Sequence, residues 1–243
     1  MTLTELDTYF KSFLHPENYP SDPSRNGIQI ENSNPDEKEI KKIAFAVDAC
    51  KETVELAAKE KADVLFVHHG LFWGDCECIT KSHYKRIAAF IQNDIALYAC
   101  HIPLDANNPY GNNYGIAARL NLKDMQPFGF WRGMSIGVMG KLEKSLDITR
   151  LAEKCLNPNE KPLCVLPFGK EKISTVGIIS GGAADDVSQA IEQNLDAFIT
   201  GEFNHELYHY VKENKINVIA AGHYQSETVG VNLVMKKIQS PVN

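Results

Sequence analysis

No stretch of this chain approaches the roughly 18 consecutive apolar residues of a membrane-spanning helix. Its opening residues, MTLTELDTYFKSFL, lack the basic start, long apolar run and small-residue cleavage site of a secretory signal. A cytoplasmic location without membrane association is the expectation. Basic clusters are also missing. The 25 Lys and Arg are outnumbered by 31 Asp and Glu, for a formal charge of −6. No grouping of them makes a face that could follow a phosphate backbone, so nucleic acid is not an expected partner. Neither G-x-x-x-x-G-K-[ST] nor G-x-G-x-x-G occurs. Gly181 and Gly182 in IISGGAADD precede a helical pattern whose start could attract an anion, but Asp185 and Asp186 would repel phosphate there. These glycines read instead as a tight strand-to-helix turn. Cysteine is present six times without a zinc-finger framework: Cys76-x-Cys78 has no second pair. Cys50, Cys100 and Cys164 lie in apolar segments and read as small core residues.

What remains is an ordinary globular composition, 44% hydrophobic and 23% charged over 243 residues. That is enough chain for a sizeable core without staples, in one large α/β domain or two smaller ones. Apolar strand patterns at 41–50, 63–69, 95–101, 135–143, 163–169, 173–180, 196–200 and 216–222 alternate with helical patterns at 51–62, 84–94, 113–121, 147–156, 183–194, 204–214 and 227–239. Such alternation predicts α/β architecture with mainly parallel or mixed sheets. The segment LKDMQPFGFWRGM (122–134) interrupts the rhythm with Pro and Gly. The simplest division is an α/β domain over 1–125 and a second over 126–243, with the C-terminal segment able to pack back on the first.

Ligands of open α/β sheets gather beyond the carboxyl ends of the strands, and three strands here end in metal-binding residue types. VLFV runs into His68 and His69, ALYAC into His101 with Asp105 four residues on, and NVIAA into Gly222 and His223 with Glu227 four residues on. Successive side chains of an extended strand point to opposite sides, so His68 and His69 are not placed to chelate one ion together. His223 and Glu227 share a face if a helix begins there. His68, His69, Asp105, His223 and Glu227 are more ligands than one four-coordinate site with an open position needs. They suit two carboxylate-bridged divalent ions that activate water. Imidazole with carboxylate favours Zn, Fe, Mn, Ni or Co. His101 reads as a hydrogen-bonding neighbour of the ligands or a proton-transfer group. The plainer alternatives are that Asp105 caps a turn and that His223 and Glu227 form a surface pair. His15, His83 and His209 read as solvent-facing, and His205 as a surface residue or a neighbour of the site.

Taken in order, RNGIQIE (25–31), VDAC (47–50), VHHGLFW (67–73), HIPLDA (101–106), GNNYGIAARLNL (111–122), SGGA (180–183), DAFITGE (196–202) and AAGHYQSE (220–227) span nearly the whole chain. Together they resemble the Nif-three-like family, whose bacterial members often carry the name GTP cyclohydrolase I type II homologue. The resemblance implies a two-domain α/β subunit with a dinuclear metal site in the cleft between the domains, assembled as a ring-shaped homohexamer. It places the family's metal ligands on His68, His69, Asp105, His223 and Glu227. Two departures are visible: 125–200 has no room for the inserted domain of some relatives, and Tyr114 stands near a position that is acidic in others. The functional expectation is a metal-dependent hydrolase of a nucleotide-like or small phosphorylated substrate, GTP ring opening among the reactions implied. The alternative is a non-catalytic or regulatory metal-binding scaffold.

Overall fold

The computed structural model describes residues 1–239, which divide into two compact units. The first comprises Met1–Leu104 and the end of the last helix, from Met235; the second comprises Asp105–Val234. Spacing alone puts the division near residue 125. The segment after Asp105 goes with the second unit because Ile116, Ala117, Leu120 and Leu122 are buried in its core.

In the first unit, strands β1 (Gly27–Ile30), β2 (Ile43–Asp48), β3 (Val64–His69) and β4 (Ala96–Ala99) form a sheet in the order β1-β4-β3-β2. β2, β3 and β4 are parallel, and β1 runs antiparallel along β4. Period-two alternation decides what each face buries. Phe66 and Tyr98 point to one face, where Phe10 of helix α1 (Leu3–Leu14) lies 5.0 and 4.6 Å from their ring centres. Leu65, Val67, Leu97 and Ala99 point to the other and join Val54 and Ala57 of α2 (Lys51–Lys59) with Ile87 and Phe90 of α3 (Lys81–Gln92). A Thr2–Glu5 capping box starts α1, each partner satisfying an otherwise unpaired backbone N–H.

The second unit begins with α4 (Ile102–Ala106, shared across the division) and α5 (Asn112–Arg119). Its six-stranded sheet has the order β5-β6-β8-β9-β10-β7: β5 (Lys123–Trp131), β6 (Met134–Leu146), β7 (Cys164–Pro167), β8 (Ile173–Ile179), β9 (Ala197–Thr200) and β10 (Asn217–Ala220). β8, β9 and β10 are parallel; the remaining pairings are antiparallel. α5 and α6 (Ile148–Cys155) cover one face through Ile116, Leu151 and Cys155 against Val138, Ile178, Ile199 and Ile219. α7 (Val187–Glu192) packs against β9, α8 (Tyr208–Glu213) precedes β10, and α9 (His223–Gln239) closes the description.

Both sheets are mixed. The main departure from the sequence pattern is at 122–134, which is the edge strand β5 rather than a break. Trp131 pairs with Met134 across a two-residue turn in which Arg132 and Gly133 both have positive φ, 47° and 85°. That is the geometry whose twist suits a tight hairpin. Pro127 is tolerated because an edge strand leaves one side of its backbone unpaired. Among the described residues no helix is long and apolar enough to cross a membrane.

Candidate metal centre

In the first unit the parallel register places the candidate residues side by side. Val67 stands opposite Ala99 and Asp48 opposite His69, so the ends of β2, β3 and β4 bring Asp48, His68, His69 and His101 together. His68 is fully buried, and its Nδ1 lies 3.0 Å from the carbonyl oxygen of Cys100. A carbonyl only accepts, so His68 carries its proton on Nδ1 and presents Nε2 as a lone-pair donor. His69 Nδ1 lies 2.8 Å from Asp48 Oδ1, and His101 Nδ1 lies 2.9 Å from Asp22 Oδ1. The strict opposition of His68 and His69 expected on an extended strand does not hold at its last residues. Their rings stack with centres 4.6 Å apart, each turned by its own oxygen acceptor. Trp73 closes the group, with its ring 4.9 Å from His101 and 6.1 Å from His69 and its Nε1–H donated to the carbonyl of Gly70.

Asp22 is a heavily held carboxylate of this unit. Its side chain is wholly buried. Oδ1 accepts from the Ser24 N–H at 3.0 Å; Oδ2 accepts from Asn26 Nδ2 at 2.8 Å and the Ile102 N–H at 3.0 Å. Burial pushes its carboxyl upward, but the His101 imidazole and these donors outweigh that and hold it below the usual aspartate range. The charged form is therefore the one that fixes His101.

The second unit carries Asp105, His223 and Glu227. Asp105 is buried in α4; its Oδ1 accepts from Asn112 Nδ2 at 2.8 Å and Ser180 Oγ at 2.7 Å. Asn112 in turn accepts from the Gly230 N–H, and Asn113 accepts from the Ser180 N–H while donating to the Ile136 carbonyl. Asp105 is thus a fixed member of a buried polar network rather than a turn cap. α9 begins at His223, a turn earlier than the apolar pattern indicates, which puts His223 and Glu227 on its first turn. His223 Nε2 lies 3.0 Å from Glu227 Oε1, and its Nδ1 lies 2.6 Å from Glu202 Oε1. The bond to Glu227 leads the effects that raise the His223 pKa to about 9, against the opposing effect of burial, with Glu202 adding to it. Glu227 is buried, so His223–Glu227 is not a surface pair.

Backbone close approach makes this possible. Gly181, at φ +70°, sits where an added Cβ would collide with Glu227 Oε1. Gly201 N–H donates to the Gly181 carbonyl at 3.0 Å and Gly222 N–H to the Gly201 carbonyl at 2.9 Å, extending the ladder past β8, β9 and β10. The turn reading of SGGA is consistent with this position. His205, His15 and His209 are exposed, whereas His83 is half-buried with its ring edge-on to Phe72, 5.4 Å between centres.

The donor set fits a borderline divalent metal: imidazoles with Nδ1 held by oxygen, and buried carboxylates. Asp22, Asp48, Glu202, Asn112, Asn113 and Ser180 are not among the residues that spacing singles out. Most of them lie inside the segments VDAC, GNNYGIAARLNL, SGGA and DAFITGE, where residue type alone assigns them no role. Asp22 lies in a run of turn formers.

Comparison with known proteins agrees along the whole length. The family Duf34/NIF3 (NGG1p interacting factor 3) matches residues 1–243. A Treponema pallidum protein named GTP cyclohydrolase 1 type 2 homolog is 42% identical, covering 98% of this chain and 94% of its own. An Archaeoglobus fulgidus protein of the same name is 40% identical over the same shares. The crystal structure of a Thermus thermophilus protein superposes with a TM-score of 0.87 at 33% identity, covering 98% of this chain and 93% of that one. The chain belongs to the Duf34/NIF3 family.

Proposed function

We propose that this protein binds two divalent transition-metal ions through His68, His69, Asp105, His223 and Glu227, with His68, His69 and Glu227 as the minimum ligand set. In this reading it is a metal-dependent hydrolase of a nucleotide-like or small phosphorylated substrate, working as a ring-shaped homohexamer. The observation that carries it is the anchoring of Nδ1. His68, His69 and His223 each hold that nitrogen against an oxygen, which leaves Nε2, on the other side of the ring, as the nitrogen we assign to the metal.

When bound, such ions lower the pKa of a water molecule and polarise the electrophile. The chain's own residues do the positioning. Asn112 and Ser180 hold Asp105 in one orientation, and the Nδ1 acceptors hold the imidazole planes. His101, fixed by Asp22 through Nδ1, is the residue to which we assign proton transfer at Nε2. The relatives' name makes GTP ring opening, with water attacking C8 of the purine, the first reaction to assay.

The test is elemental analysis of the purified protein, then a metal-reconstituted screen with GTP first and other nucleotides and phosphoesters after it. Near-stoichiometric transition metal, lost in H68A/D105A together with turnover, supports the reading. Turnover that survives loss of metal overturns the hydrolytic mechanism. Full metal loading with no turnover across the screen leaves the regulatory metal-binding scaffold as the function.

A further inference from the structure

Cys76 and Cys78 take no part in the centre above. Both are free thiols and exposed. They lie between β3 and α3 in a segment that is neither helix nor strand. That segment is pinned on both sides. The Gly74 N–H donates to the Pro23 carbonyl at 2.6 Å, and the Gly74 carbonyl accepts from Arg25 Nη2 at 2.5 Å. The Thr80 N–H donates to the Cys78 carbonyl at 2.9 Å. The two thiols are thus both open to solvent and tethered one residue apart in the chain.

The spacing of one intervening residue decides what the pair can do. Two residues span at most about 7 Å, and alternate residues of an extended chain face the same side. Metal–sulfur bonds of about 2.3 Å bridge two sulfurs about 4.6 Å apart, within reach of such a pair. A disulfide needs Cα atoms within about 6.8 Å, so an extended Cys-x-Cys stands at its limit. Charge separates the ligand classes further. Asp75 and Glu77 flank the thiols with two carboxylates, which attract a cation and repel an anionic disulfide. Among the described residues no third histidine, cysteine or carboxylate ligand atom joins the pair to make a group of three, as a tetrahedral zinc site would require. A pair of soft thiolates that no third ligand atom joins favours a soft monovalent ion. The buried Cys155, its thiol pushed up to about 12 by burial, offers no comparable chemistry.

We propose that Cys76 and Cys78 form a two-coordinate thiolate site for a soft monovalent cation of the Cu(I) class. Binding exchanges two S–H bonds for two metal–sulfur bonds, releases two protons and changes no oxidation state. The test is anaerobic titration of the reduced full-length protein with Cu(I) against a Cu(I)-selective chelator, following sulfur-to-copper absorbance and counting copper in the isolated protein. One chelator-resistant equivalent is expected in the wild type and in H68A. It is lost in C76S/C78S and weakened in each single variant, and circular dichroism checks that these surface substitutions leave the fold intact. Unchanged copper uptake by C76S/C78S, or no uptake by the wild type, overturns the proposal. A Cys76–Cys78 disulfide in place of copper, detected by intact mass in the reduced anaerobic sample, overturns it as well.

Discussion

Asp48 and Glu202 touch their histidines only through Nδ1, on the far side of the ring from the nitrogen proposed to bind metal. Replacing them by D48N or E202Q removes the charge that fixes the tautomer while leaving every proposed ligand in place. Metal affinity is expected to fall about 10- to 100-fold, a size typical for such partners, read by competition with a chelator of known affinity. Gly181 is held by a different constraint, its positive φ and the carboxylate of Glu227 where a Cβ would stand. G181A is expected to cost about 1–3 kcal/mol in urea unfolding and to lower metal occupancy by displacing Glu227. The histidines were legible in the sequence because strand ends are where open α/β sheets expose their chemistry. Their partners were not. Asp22 meets His101 across 79 positions of chain, and nothing in a run of Pro, Ser and Asn announces an aspartate that will be wholly buried.

Strand β9 depends on its neighbours through Asp196, the residue just before it. That carboxylate accepts from the Ser174 and Thr175 N–H groups at 2.9 and 3.0 Å and from Lys170 Nζ at 2.6 Å. Burial pushes its pKa upward, but Lys170 and the two backbone donors outweigh this and hold it below the usual range. A depressed folded pKa contributes stability that is present above the unfolded value and is lost as pH falls through the folded one. D196N is therefore expected to destabilise by about 1.5–3 kcal/mol at pH 7, and the gap from wild type should close as the pH is lowered below the ordinary aspartate range. Urea unfolding across that range measures it. At this scale the parallel strands and their helices follow from hydrophobic periodicity, whereas β5 does not. Its Pro127 and Gly129 are breakers inside a sheet and are admissible at an edge, and edge position is a property of the finished sheet rather than of the segment. The start of α9 was hidden for a related reason: its first turn is polar because it carries His223 and Glu227.

Binding to the proposed ligands should stabilise the folded protein against unfolding. At free metal about 100-fold above its dissociation constant the gain is about 2.7 kcal/mol, which for a chain of this size is about 5–10 °C in Tm. Calorimetry with and without a chelator is expected to show that difference in wild type and not in H68A/D105A. With a 27.1 kDa subunit, the proposed hexamer should scatter light as about six subunits, and a monomeric mass would remove that part of the reading. The first unit is also interrupted in the chain. It opens at Met1, pauses after Leu104 and resumes at Met235, where Met235 and Ile238 line the same groove as Leu6, Tyr9 and Phe45. During synthesis at about 5–20 residues per second, the second unit is complete in sequence before the first, even though the first leaves the ribosome earlier. A nascent chain stalled short of α9 carries His68 and His69 but neither His223 nor Glu227, so the proposed ligand set is complete only once α9 has been made.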